Sequence, residues 1–147
     1  MTLANPPIFT GKQTFQDDNP KYERSSSSVY LPLMVEVEGV IFDMLALVDT
    51  GAPYCIFDPE VAAMLGIRHD NGIRQVLESR AGSSTGSLHR VQVTVPAEVG
   101  DSLSLEATVF VPEAWPLGSF IGYSGLLQRI SFAVTPHDNQ FYFGLPP

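Results

Sequence analysis

The sequence predicts an all-β fold: a small closed or nearly closed β barrel carrying one or two short helices. Three observations lead there. Twelve glycines and twelve prolines punctuate 147 residues, a density of turn formers that suits many short strands. Apolar residues recur with a period of two in successive segments of strand length, spaced as in small barrels. Apolar residues make up 44% of the chain and charged ones only 16%, which supports one compact core and a single domain.

Taken in order, residues 1–28 stand apart. Asn5-Pro6-Pro7, Gln16-Asp17-Asp18-Asn19-Pro20 and Ser25-Ser26-Ser27-Ser28 show no apolar period and several breakers. They predict a flexible N-terminal extension linked through the serines to a domain over 29–147. Structure begins at Val29, where Leu31, Leu33, Val35 and Val37 alternate with Pro32, Met34, Glu36 and Glu38, the period of a half-buried strand. Glu38-Gly39 supplies a turn, and Ile41–Val48 a second strand. The second half of that strand is apolar on both faces, so it belongs at the centre of the core.

A helix follows. Asp58 suits its N-cap, Pro59 its first position and Gly66 its left-handed end, with Val61, Met64 and Leu65 as its apolar face. Val76 to Val95 then reads as a long hairpin whose polar segment Gly82-Ser83-Ser84-Thr85-Gly86 forms a mobile tip. Leu103, Leu105, Ala107, Val109 and Val111 alternate again. Phe120-Ile121-Gly122 precedes a second candidate helix over Gly125–Arg129. Ile130, Phe132 and Val134 lead through the turn 137–140 into a last strand, Phe141–Phe143.

Several functions are excluded before any site is considered. Sixteen acids against eight bases leave a net charge of −8, so the chain has no electrostatic footprint for nucleic acid or an anionic membrane. Its longest apolar runs fall far short of the roughly 20 residues that a membrane helix needs. Met1–Lys12 lacks the pattern of a signal peptide. A lone cysteine, Cys55, rules out an intramolecular disulfide and permits a reducing compartment. The expected setting is soluble and cytoplasmic.

Asp49 is the residue that demands chemistry. A carboxylate directly after an apolar strand sits at the edge of a core, where its charge is costly unless hydrogen-bonded. Thr50 can donate a hydroxyl, and Gly51 lets the backbone turn its N–H toward the acid. Asp, Thr and Gly are also ordinary choices for a strand-ending turn, so the triplet alone decides little.

The wider run Ala46-Leu47-Val48-Asp49-Thr50-Gly51-Ala52 resembles the active-site signature of retropepsin-like aspartic proteases. Phe120-Ile121-Gly122 followed by Leu126-Leu127 is similar to the family's second marker, and Gly82–Gly86 lies where the family carries its flap. The helix after the active-site strand is closer to cellular and prokaryotic members than to retroviral ones. The resemblance spans Val29 to Gly144. It implies a retropepsin-like acid-protease barrel acting as an aspartic-type endopeptidase on peptide or protein, with no cofactor and no metal.

Asp49 would be the catalytic residue. Two carboxylates sharing one proton are required, one taking a proton from water while the other hydrogen-bonds the scissile carbonyl. A single Asp-Thr-Gly therefore implies a homodimer with one Asp49 from each subunit. By the same resemblance Thr50 would lock the two loops together, and Gly51 and Ala52 would complete the loop that meets substrate. Retroviral members pair an arginine after the late glycine with an aspartate after the active-site loop. Here Tyr123 and Pro53-Tyr54 hold those positions, so either another element holds the dimer, with the strand Phe141–Phe143 as the candidate, or the dimer is weak. The competing reading is a barrel of this type without turnover, serving as a dimerisation or peptide-binding module.

Other constellations are weaker. Ser84 in Gly82–Gly86 has a Gly-x-Ser-x-Gly outline without the preceding apolar strand of a nucleophile elbow. Cys55 has no local histidine, and His69, His89 and His137 lack metal-ligand spacing. Trp115 reads as a packing anchor in a loop, and Arg129 carries no catalytic role.

Overall fold

The computed structural model describes residues 6–19, 28–79 and 82–146. Its strands are β1 (Gly11–Thr14), β2 (Tyr30–Val37), β3 (Val40–Val48), β4 (Cys55–Ile56), β5 (Ile73–Ser79), β6 (Gly82–Val95), β7 (Val99–Gly100), β8 (Leu103–Pro112), β9 (Phe120–Ile121), β10 (Ser131–Thr135) and β11 (Gln140–Gly144), with one helix, α1 (Pro59–Met64).

Six strands close on themselves. β2 pairs antiparallel with β3 over its whole length, from Tyr30 opposite Leu47 to Val37 opposite Val40. Glu38 and Gly39, both at positive φ, make the tight turn between them. β3 runs parallel to β9, β9 pairs with β4, and β4 runs parallel to β8. β8 pairs with β6, and β6 returns to β2 at Met34–Glu36, which closes the barrel. The alternation seen in sequence fills its interior: Leu31, Leu33 and Val35 from β2, Val91, Val93 and Val95 from β6, Ala107 and Val109 from β8 are all buried. Met44, Ala46 and Leu47 of β3 are buried too, as its apolar second half predicts.

Five expectations change. The flexible extension does not describe Gly11–Thr14, which pairs antiparallel with β11 on one side and β7 on the other. Gln13 Nε2 donates to the Pro96 carbonyl at 2.9 Å, and Phe15 is buried in the core. Backbone pairing along β11, not an apolar period, makes this a strand. Residues 1–5 and 20–27 of the extension lie outside the described residues.

β11 cannot be the free edge that holds a dimer. It sits between β10 and β1 in a four-stranded sheet, and Phe141 and Phe143 are fully buried in their own protomer. The β5–β6 hairpin forms as expected, but its segment Gly82–Gly86 is paired strand rather than an open loop. That segment forms the first five residues of β6, paired from Ser79 opposite Gly82 to Gln75 opposite Gly86, and the connecting residues 80–81 lie outside the described residues. Polar composition misled here, because a two-stranded arm projecting from the barrel needs no apolar face along its outer half.

Finally, α1 is capped as expected, Asp58 Oδ1 accepting from the Glu60 N–H at 2.9 Å and Gly66 at φ +73° ending the turn. Met64 is exposed, however, while Val61, Ala62 and Leu65 are buried. The buried arc is centred on those three positions, and Met64 falls beyond its edge. The second helix contracts to a 3-10 turn at Leu127–Arg129.

Candidate active site

β3 delivers Asp49 to the surface at the point where β9 runs alongside it. Leu47 N–H donates to the Ser119 carbonyl at 2.9 Å, and Asp49 N–H to the Ile121 carbonyl at 3.0 Å. The chain beyond β9 then grips the active-site loop from the other side: Tyr123 N–H donates to the Ala52 carbonyl at 2.7 Å and Ser124 N–H to the Pro53 carbonyl at 2.8 Å. At Gly122 an added Cβ would land on the carbonyl oxygen of Tyr54. Glycine is required by this close approach of two backbones. The two sequence motifs, far apart in the chain, are therefore one structural unit.

Within the loop, Gly51 N–H donates to Asp49 Oδ1 at 2.9 Å, and Ala52 N–H to the Asp49 carbonyl at 3.1 Å. The glycine meets the acid as the sequence suggested, and it fixes one carboxylate oxygen. Asp49 is half-buried, Thr50 and Gly51 are exposed, and Ala52 is buried. The loop thus presents its carboxylate, its threonine and a stretch of bare backbone outward.

Asp49 opens into a cleft of about 560 Å³. Gly51, Ala52 and Pro53 border it on one side, Leu77 and Glu78 of β5 on another, and Ile56, Trp115, Leu117 and Phe120 supply apolar wall. Trp115 is held in place: its Nε1–H donates to the Gly118 carbonyl at 2.8 Å, and its ring meets Phe120 edge-on at 5.8 Å. It is an anchor, as the sequence suggested, and also a wall of the cleft. None of Gly82–Gly86 lines the cleft; the hairpin reaches it through β5. Ser83 still contributes indirectly, its hydroxyl donating to Glu78 Oε2 at 2.6 Å. Sequence reasoning missed Leu77 and Glu78 because strand residues beside a hairpin turn carry no signature of their own. The position of Trp115 and Leu117 just ahead of Phe120-Ile121-Gly122 is the signal that could have found the wall.

The competing groups lie elsewhere. Burial pushes the Cys55 thiol up to about 11, only partly offset by a hydrogen bond to the Gly122 backbone and by the Arg129 charge, so it is no nucleophile. Arg129 donates to the Glu106 carbonyl and, at 3.1 Å, to Thr108 Oγ1, tying its turn to β8. Ser84 is half-buried in β6, opposite Leu77. His69 Nδ1 and His89 Nε2 each lie 2.7 Å from the buried Ser87 hydroxyl, which fixes the turn before β5 to β6. Burial, with repulsion from His69, lowers the His89 pKa. Among the described residues, no three His, Cys, Asp or Glu side chains cluster to hold a metal ion, and no helix is long and apolar enough to cross a membrane.

A six-stranded barrel whose apolar strand ends in Asp-Thr-Gly, clasped by a second apolar-apolar-glycine segment, defines the single-lobed acid-protease class. The family model for aspartyl proteases matches residues 33–115, more than half the chain, and the chain belongs to the aspartyl protease family. Solved structures of similar fold include a retropepsin-like aspartic protease from Rickettsia conorii, 18% identical, with a TM-score of 0.59 over 90% of this chain and 98% of that one. The retroviral protease-like domain of Ddi1 from Leishmania major is also similar, 17% identical, with a TM-score of 0.50 over 82% of this chain and 94% of the other. No curated protein matches significantly.

Proposed function

We propose that the protein is an aspartic-type endopeptidase, hydrolysing peptide bonds with a water activated between two Asp49 carboxylates of a homodimer. The observation that carries this reading is the Asp49 loop itself: a half-buried carboxylate fixed by the Gly51 N–H at the mouth of an apolar cleft, in a chain of the aspartyl protease family.

The chemistry sets the stoichiometry. One ionised carboxylate takes a proton from the water as it attacks the carbonyl carbon, while the protonated partner hydrogen-bonds the carbonyl oxygen. Like charges a few ångström apart keep the pair in this mixed state. The barrel holds one Asp-Thr-Gly, and a second copy would supply the second acid. Gly51 N–H holds Oδ1, and Oδ2 would meet the partner acid and the water. Exposed Thr50 would clasp the opposite loop. The substrate would lie extended beneath the β5–β6 arm, its main chain bonding as an added strand and its side chains entering the apolar wall.

The test is incubation with a diverse peptide library between about pH 3 and pH 8, the range over which such acids titrate. Cleavage that disappears in Asp49→Asn supports the assignment. Cleavage that survives the substitution overturns it, and a protein that binds peptides without cutting them establishes the non-catalytic barrel instead.

A further inference from the structure

Glu78 stands out in the cleft for its charge. Asp49 and Glu78 are the only ionisable side chains among the described residues lining it, and both are acids; the remaining lining is apolar side chain or glycine. Glu78 is exposed but not loose. It lies directly opposite Ser83 across the β5–β6 pairing, and the Ser83 hydroxyl donates to its Oε2 at 2.6 Å. That bond orients the carboxylate and leaves Oε1 to meet a ligand. Its neighbour Leu77 is buried against the cleft floor with Ile56 and Phe120, so the strand beneath Glu78 is anchored. A chain of net charge −8 adds to the negative potential, and a cleft with low-dielectric walls focuses it.

We propose that Glu78 is a specificity residue that reads a lysine or arginine side chain of the substrate, so that the enzyme prefers peptides carrying a basic residue near the scissile bond. The inference rests on the protease reading for turnover and on charge complementarity for binding. An acidic peptide would bring its carboxylate toward Glu78 and be rejected by like charge. A basic one gains an ion pair that is partly sheltered by the apolar wall. Because Glu78 is exposed, the preference should weaken with added salt.

The experiment compares three peptide pools, identical except that one position flanking a common core carries Lys or Arg, Gln, or Glu. Cleavage is read as kcat and KM for each pool. In parallel, binding of the same pools to the Asp49→Asn protein is read by fluorescence anisotropy. The expected result is a preference of about tenfold for basic over neutral peptides, the scale of one partly sheltered charge pair, expressed mainly in KM. Glu78→Gln keeps an acceptor for Ser83 and should remove the preference. Ser83→Ala keeps the charge and should retain most of it. Glu78→Lys should favour the acidic pool.

Equal cleavage of all pools by the native protein, or a basic preference that persists in Glu78→Gln, overturns the proposal while leaving the protease reading intact. If nothing is cut, the protease reading fails alone, and the binding arm decides the role of Glu78. Preferential binding of the basic pool that Glu78→Gln abolishes supports it, and indifference overturns it.

Discussion

At the scale of the residue, a side chain's surroundings separate Asp49 from the other reactive groups. The acid is half-buried, carries one backbone hydrogen bond and faces a cleft. Asp49→Asn keeps its shape and that bond but cannot accept the proton from water, so activity should fall by roughly 10²–10⁴-fold, the usual weight of a positioned acid–base group. Thermal unfolding should be little changed, which a melting curve would verify. Cys55 is the opposite case. It is buried, with its thiol pushed up to about 11. A disulfide-exchange reagent at neutral pH should leave it unlabelled in the native protein and label it fully once denaturant unfolds the chain. Rapid native labelling would show that the segment from Cys55 to Gly122 opens.

At the scale of the element, the structure turns on close backbone crossings and on one histidine pair. Gly86 pairs with Gln75 on one side and Pro112 on the other, and an added Cβ would strike the Val111 carbonyl. Gly86→Ala should therefore cost roughly 2 kcal/mol or more, the scale of overpacking in a closed space, read as a lowered midpoint in urea unfolding. The pair His69 and His89 shares the Ser87 hydroxyl. The lowered pKa of His89 means that the unfolded chain takes up a proton first as pH falls. The stability linked to this group is present above its ordinary value of 6.5 and is lost as pH drops from there through the folded value. The melting temperature should decline over that window, and His89→Gln should flatten the decline.

The same scale shows what a sequence can convey. The strands of the barrel were legible because Leu31, Leu33 and Val35, or Val91, Val93 and Val95, face one interior, and periodicity reports a face directly. The cap of α1 was legible because Asp58, Pro59 and Gly66 act locally. β1 was not, since Gly11–Thr14 is held by backbone bonds to β11, which leave no trace in side-chain pattern. The Asp-Thr-Gly loop and its clasp at Gly122 were found by motif. Leu77 and Glu78, which shape the cleft, are brought there by the β5–β6 pairing, which spacing does not encode.

At the scale of the whole molecule, one barrel offers one Asp49, and the proposed chemistry needs two. Neither edge of β11 is free to join a second copy, and Tyr123, half exposed, stands where retroviral relatives of the fold carry an arginine. A dimer formed without those devices should be dissociable, so specific activity should fall on dilution and be restored by concentration. Sedimentation over the same range should show the matching shift from dimer to monomer. Activity should also follow a bell-shaped pH profile with an acidic lower limb, because one acid of the pair must be ionised and the other protonated.

The most direct test of the shared site is a mixing series of native and Asp49→Asn protein, refolded together at constant total concentration. If each site takes one acid from each subunit, activity follows the square of the native fraction, and an equal mixture retains about one quarter of full activity. An equal mixture retaining about half would mean that each subunit works alone, and the shared-site account would be wrong.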